Sequence, residues 1–274
     1  MKGRILSTFL LWALLAFTAI CFKAVGAVIL ASAAALLTQY EIYKMLAASG
    51  KRPLTVAGLA IGLAISISPM LGAHALLTGP ALLAPSILLL SIAAILDRPC
   101  GEIIGSLGAT LLGLILGPCM LVYISMTIYH FGPHCAGLLM ALWVVMATKF
   151  TDMGALLTGM AIGRHKMSPT LSPKKTWEGA VGGVALCVIS SAVYVHFCAK
   201  WLPVGFTPLA ATYIALPLSI AAIFADLLES AFKRECGIKD SGHLLPGIGG
   251  AFDLTDSFML CAPLAYYMMV LILG

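Results

Sequence analysis

Apolar runs long enough to cross a bilayer, about 20 residues each, follow one another along almost the whole chain with only short polar breaks between them. No other feature restricts the fold so strongly. With 61% hydrophobic and only 10% charged residues and a mean hydropathy of +1.04, the chain lies outside the range of water-soluble domains. Backbone amides in hydrocarbon have no water to bond, so runs of this kind form helices. The expectation is therefore an all-α polytopic membrane protein, with no room for a sizeable soluble domain.

Apolar runs and polar punctuation predict about nine transmembrane helices, near 5–22, 24–46, 54–70, 78–96, 103–128, 135–162, 179–199, 208–230 and 256–273. The first run follows Lys2 and Arg4 as a signal peptide would, but no small-residue cleavage site separates it from the next run, so it reads as a retained span. With nine spans, one face receives Lys2, Arg4, Lys44, Lys51, Arg52, Arg98, Arg164, Lys166, Lys174, Lys175, Lys233, Arg234 and Lys239. The opposite face has only Lys23 and Lys200. The positive-inside rule then makes the N-terminal face cytoplasmic. Nearly all the acidic residues fall on that face or just inside it. The eight cysteines are scattered through apolar runs without the paired spacing of a zinc site, and read as small hydrophobes.

The chain reads as a single integral membrane domain, 1–274, with its chemistry concentrated in two polar segments. The first ends in Ser-Pro-Lys-Lys-Thr-Trp-Glu-Gly at 172–179. Ser172 with Pro173 predicts a helix N-cap and first helical position, which places Lys174 and Lys175 in the first turn. Cations are disfavoured there by the helix dipole, so a bound phosphate is the expected resolution. Lysines that merely anchor the span are the competing reading. The glycines at 179 and 183 fit close helix packing, within one chain or between copies.

In the second segment Asp226, Glu229, Ser230 and Lys233 recur at i, i+3, i+4 and i+7, so a helix would place them on one face. Asp226 lies within an apolar run and needs a partner or a task; an ion pair with Lys233 or another cation is the bland alternative. A glycine-rich loop with Gly247, Gly249 and Gly250 leads to Asp253 and Asp256, one turn apart at a helix start. Converging carboxylates suit Mg2+, and glycines let amides approach phosphate.

Ser230-Ala-Phe-Lys-Arg, Lys239-Asp240-Ser-Gly, Leu245-Pro-Gly, Gly249-Gly250 and Asp253 with Asp256 together resemble the signature of phosphatidate cytidylyltransferases, the CDP-diacylglycerol synthases. The block at 172–179 is similar to a second shared block of that family. The resemblance is specific over roughly 148–260, within the catalytic half 148–274, and only topological over the spans of 1–147. The chain departs from the pattern at Ile248, where the family has histidine, at Leu254, where it has arginine, at Ala251, where it has an aliphatic residue, and at Ala225, where it has glycine.

The resemblance implies transfer of a cytidylyl group from CTP to phosphatidic acid, with release of pyrophosphate, for phospholipid synthesis. It implies catalytic roles for Asp226, Asp253, Lys233 and Arg234. Phosphates would be met by Ser172, Lys174, Lys175, Lys239, Gly249 and Gly250, and the metal held by Asp226, Asp253 and Asp256, with Asp240 a weaker candidate. The implied cofactor is Mg2+, with a second cation allowed for. The expected partners are CTP, phosphatidic acid and membrane lipids but no nucleic acid, and a homodimer is compatible. The expected location is the cell (inner) membrane, with the site on the cytoplasmic side. Rival readings are a CTP-dependent lipid kinase, a weakly active paralogue and a transporter.

Overall fold

The structure, a computed structural model, describes residues 2–72, 79–131, 135–238, 241–242 and 249–273, with 2–21 and Pro80 as backbone alone. It is almost wholly helical. Helix α1 (Lys2–Ala48) contains one non-helical residue, Lys23 (φ 49°), at the charge that separates the first two apolar runs. There follow α2 (Thr55–Ile67), α3 (Leu83–Asp97), α4 (Ile103–Leu114), α5 (Met120–His130) and α6 (Ala136–Ile162). Between α4 and α5 the chain makes a π turn over Ile115–Cys119 containing Pro118, which has no N–H for a regular i→i−4 bond. A hairpin of β1 (Lys166–Ser168) and β2 (Ser172–Thr176) leads into α7 (Trp177–Cys198), α8 (Pro208–Glu235) and α9 (Ala251–Leu273).

Six helical stretches among the described residues are long and apolar enough to cross a membrane: Phe22–Ala48, Ile103–His130, Ala136–Ile162, Trp177–Trp201, Pro208–Glu235 and Ala251–Leu273. Thr55–Leu71 and Leu83–Asp97 are equally apolar but shorter. The all-α membrane class holds, and the expected count of nine is not confirmed on this measure, the first predicted span, 5–22, falling almost wholly in the residues described as backbone alone. The helices turn many large apolar side chains outward, among them Leu96, Ile104 and Phe197. Hydrocarbon accepts such a surface and water does not.

By its internal contacts the chain divides into residues 1–126 with 233–255, and residues 127–232 with 256–274. In the first unit the core of α1 is polar at its centre. Gln39 Nε2 donates to the Tyr43 hydroxyl and to the Gly58 carbonyl, each at 2.8 Å, and Tyr43 donates to the Thr110 carbonyl at 2.9 Å. Hydrogen bonds of this kind hold helices together where lipid removes the hydrophobic drive to associate. Thr38 and Thr255 meet at 2.8 Å, which fixes the first turns of α9 against α1.

In the second unit α6 and α7 pack closely along their length. The expected glycine contact is made within one chain: a Cβ on Gly183 would lie 2.7 Å from the Thr151 carbonyl oxygen and 3.2 Å from Ala155 Cβ. Backbone cannot retreat as a side chain can. Gly183→Val is therefore expected to destabilise the protein by about 2 kcal/mol, read as a lower melting temperature in detergent. An unchanged melting temperature would show that α6 and α7 do not need this approach. Elsewhere in the unit Trp143 packs edge-on against Phe206, with ring centroids 5.2 Å apart, and Tyr194 donates to the Leu139 carbonyl at 2.9 Å.

Candidate active site

The segment before α7 corrects one expectation. Ser172 is not an N-cap, because Ser172–Thr176 pairs antiparallel with β1, Lys166 opposite Thr176 and Ser168 opposite Ser172. The cap is Thr176, whose backbone is extended and whose hydroxyl oxygen accepts the Gly179 N–H at 3.2 Å. Lys174 and Lys175 thus lie on a strand, and the first turn of α7 carries Glu178 instead, the sign that the helix dipole favours. Glu178 also closes the hairpin: its carboxylate accepts the backbone N–H of Arg164 at 3.1 Å and of His165 at 3.2 Å, and His165 Nδ1 lies 2.5 Å from it.

The hairpin aims Lys175 at a carboxylate. Lys175 Nζ lies 2.6 Å from Asp226 Oδ2, so the ion pair foreseen for Asp226 exists but with Lys175 in place of Lys233. One turn along α8 from Asp226 is Glu229. One carboxylate oxygen from each of Asp226, Glu229 and Asp256 lies within 4.8 Å of the other two, with Glu229 and Asp256 buried.

Next to this trio α6 contributes Lys149 and Asp152. Lys149 Nζ lies 3.6 Å from Asp152 Oδ2 and 3.9 Å from Asp256 Oδ1, and 4.8 Å from the centre of the Phe258 ring. The hydroxyl of Ser257 is 3.1 Å from both Asp152 Oδ2 and Asp256 Oδ1, and its backbone N–H donates to Asp256 Oδ1 at 2.6 Å.

The trio fits a divalent cation. Three carboxylates converging in an apolar bundle repel one another, and oxygen-only donors are the set that Mg2+ prefers. Taken as ionised, Asp152, Asp226, Glu229 and Asp256 carry four negative charges against two positive charges on Lys149 and Lys175. The remainder equals the charge of one divalent ion.

Asp152 and Asp226 also line a cavity of about 600 Å³ in the second unit. Lys166, Lys174 and Lys175 supply its cationic lining, and Leu156, Met160 and Ile223 part of its apolar wall. Leu156 and Met160 are 61% and 77% exposed, so that wall continues onto a surface suited to acyl chains. The cavity can hold an anionic headgroup on lysines while its tail stays in lipid.

The other predicted residues belong to the first unit. Lys233 Nζ lies 3.0 Å from Asp253 Oδ1, and Gly250 donates its N–H to Asp253 Oδ2 at 2.9 Å. Asp253 is therefore held by a lysine and an amide. Arg234 is exposed in the last turn of α8. Lys239 and Asp240, with His243, Gly247 and Ile248, lie outside the described residues.

Glu41 on α1 organises the entry to α9. It is buried and accepts the Phe252 N–H at 2.9 Å and the Ser241 hydroxyl at 3.0 Å. A Cβ on Gly250 would collide with Glu41 Oε2 and Ser241 Oγ, and would lie 2.6 Å from Glu41 Oε1. Gly250→Ala is expected to displace Glu41 and to destabilise the protein by about 2 kcal/mol, read as a lower melting temperature in detergent. An unchanged melting temperature would show that the loop tolerates a shifted Glu41.

The sequence reading assigned no role to Lys149, Asp152 or Glu41, and noted Glu229 only as sharing a helix face. Each is an ionisable residue inside an apolar run, which is the signal that could have found them.

Comparison with known proteins gives a consistent picture. A family model described as the cytidylyltransferase family matches residues 2–272. Proteins named phosphatidate cytidylyltransferase align with the chain in Haemophilus influenzae (35% identical over 142 residues, 50% of this chain and 48% of that protein) and Staphylococcus haemolyticus (37% over 142 residues, 52% and 53%). A protein of the same name in Staphylococcus saprophyticus is 38% identical over 146 residues, 52% and 53% of the two chains. The chain thus spans about half the length of the curated relatives it matches.

Proposed function

The chain belongs to the cytidylyltransferase family, and from that premise we propose that it transfers the cytidylyl group of CTP to a phosphatidic-acid-type lipid, giving CDP-diacylglycerol and pyrophosphate. The observation that carries the proposal is the carboxylate trio Asp226, Glu229 and Asp256 joined through Asp226 to a lysine-lined cavity with a lipid-facing wall. A reaction between a soluble polyphosphate and a membrane lipid needs that combination.

The lipid phosphate sits on Lys166, Lys174 and Lys175 with its acyl chains along Leu156 and Met160. A phosphate oxygen attacks the α-phosphorus of CTP, a new P–O–P bond forms, the bond to the β-phosphate breaks, and its electron pair leaves with pyrophosphate. The nucleophile is already ionised near neutral pH, so positioning and charge neutralisation carry the rate. Mg2+ held by Asp226, Glu229 and Asp256 would supply charge neutralisation on the nucleotide phosphates. The resemblance supports phosphate-binding roles for Lys233, Arg234 and Lys239, and within the first unit Asp253 orients Lys233. The excess of Lys and Arg at the N-terminal face of the spans supports a cytoplasmic site in the cell membrane.

The test is purified protein in detergent with Mg2+, phosphatidic acid and α-labelled CTP. Label in the lipid phase with equimolar pyrophosphate is the expected result. Lipid gaining an unlabelled phosphate with release of labelled CDP would replace the proposal with a lipid kinase, and no transfer would end it.

A further inference from the structure

Lys149 is the basic residue that the division of charge between membrane faces leaves out, because it lies in the middle of α6 and at neither end. An ammonium group at such a depth costs about 3 kcal/mol on insertion scales, so it persists only with partners or a task. Its partners are Asp152 and Asp256. Oδ1 of Asp256 receives Lys149, the Ser257 N–H and the Ser257 hydroxyl. These contacts anchor that oxygen from the side of α6, while a carboxylate oxygen of Asp256 lies within 4.8 Å of those of Asp226 and Glu229.

We propose that Lys149 is a built-in cation of the carboxylate group, a positioning residue that fixes Asp256 through one oxygen, offsets Asp152, and so limits the group to one divalent ion. The inference rests on the Mg2+ reading above and decides between one bound cation and two. The formal count supplies the reason. Four carboxylates with Lys149 and Lys175 leave two negative charges. Without Lys149 three remain, one divalent ion no longer neutralises them, and a second is attracted into the space the ammonium vacates.

The experiment is a titration of the full-length, detergent-purified protein with Mn2+, counting bound ions by the electron paramagnetic resonance of free Mn2+, with Mg2+ as competitor. The expected result is one Mg2+-displaceable Mn2+ in the wild type and in Lys149→Arg, two in Lys149→Met, and one again in Lys149→Met combined with Asp152→Asn, where the formal charge returns to its original value. A merely structural Lys149 would leave one ion in every variant, and that result overturns the proposal. Two ions in the wild type overturn it as well. No binding by the wild type removes the Mg2+ reading itself, which lipid labelling tests separately. Should Lys149→Met fail to fold, Lys149→Gln has the same charge count and the same expected outcomes.

Discussion

Asp256→Asn is expected to reduce CTP-dependent lipid labelling by about three orders of magnitude, ~4 kcal/mol of barrier, while the protein still folds and extracts as the wild type does. The amide keeps the size of the side chain and can still accept the Ser257 N–H bond that holds the start of α9. What it loses is the charge that draws Lys149 and completes the trio with Asp226 and Glu229. Raising Mg2+ should recover part of the activity if the lesion is weakened ion binding. Labelling within tenfold of the wild type would remove Asp256 from the chemistry and leave it a structural cap.

Lys175→Met comes next in size. Lys175 is half-buried between the hairpin and α8, with its ammonium on Asp226, and it lines the cavity. Methionine preserves the packing of the stem and removes the charge. Two effects then add: the lipid phosphate loses a cationic contact, and Asp226 loses its neutralising partner. A loss of about 100-fold in kcat/KM for phosphatidic acid is expected, ~2.7 kcal/mol, with a smaller change in the KM for CTP. Lys174→Met, at the exposed neighbour on the same strand, should cost less than tenfold. Equal losses at the two positions would show that net charge on the hairpin matters and the Asp226 contact does not.

The two positions illustrate how far the sequence could be read. It picked out Lys174 and Lys175 as phosphate residues and supposed that both sat in a helical first turn. The structure puts them on β2 because Ser172–Thr176 pairs with Lys166–Ser168. Pairing between strands three residues apart in the chain is not written in either strand alone. Asp226 was read as an acid needing a partner or a task, with an ion pair as the bland alternative, and it does have a cation beside it. Its partner is Lys175, about fifty positions away, and the nearer candidate Lys233 is taken by Asp253.

Glu229 shows the same limit. Its place beside Asp226 followed from helical periodicity, but its convergence with Asp256 required two helices to meet. Six of the predicted spans meet the measure of length, and Thr55–Leu71 and Leu83–Asp97 meet that of composition on shorter helices, because apolar composition reports what lipid tolerates and not how far a helix reaches.

The sequence by itself determined the solvent of this protein, its helical class, and the resemblance carried by the residues of 172–179 and 230–256. Those are local properties: hydropathy, period and motif spacing act within one segment. Only the tertiary structure decided which charges neutralise which, that Glu41 holds the entrance to α9, and that Lys149 stands beside Asp152 and Asp256. Electrostatic partnership depends on distance in space, and in a bundle of helices residues far apart in the chain become neighbours only once the helices have packed.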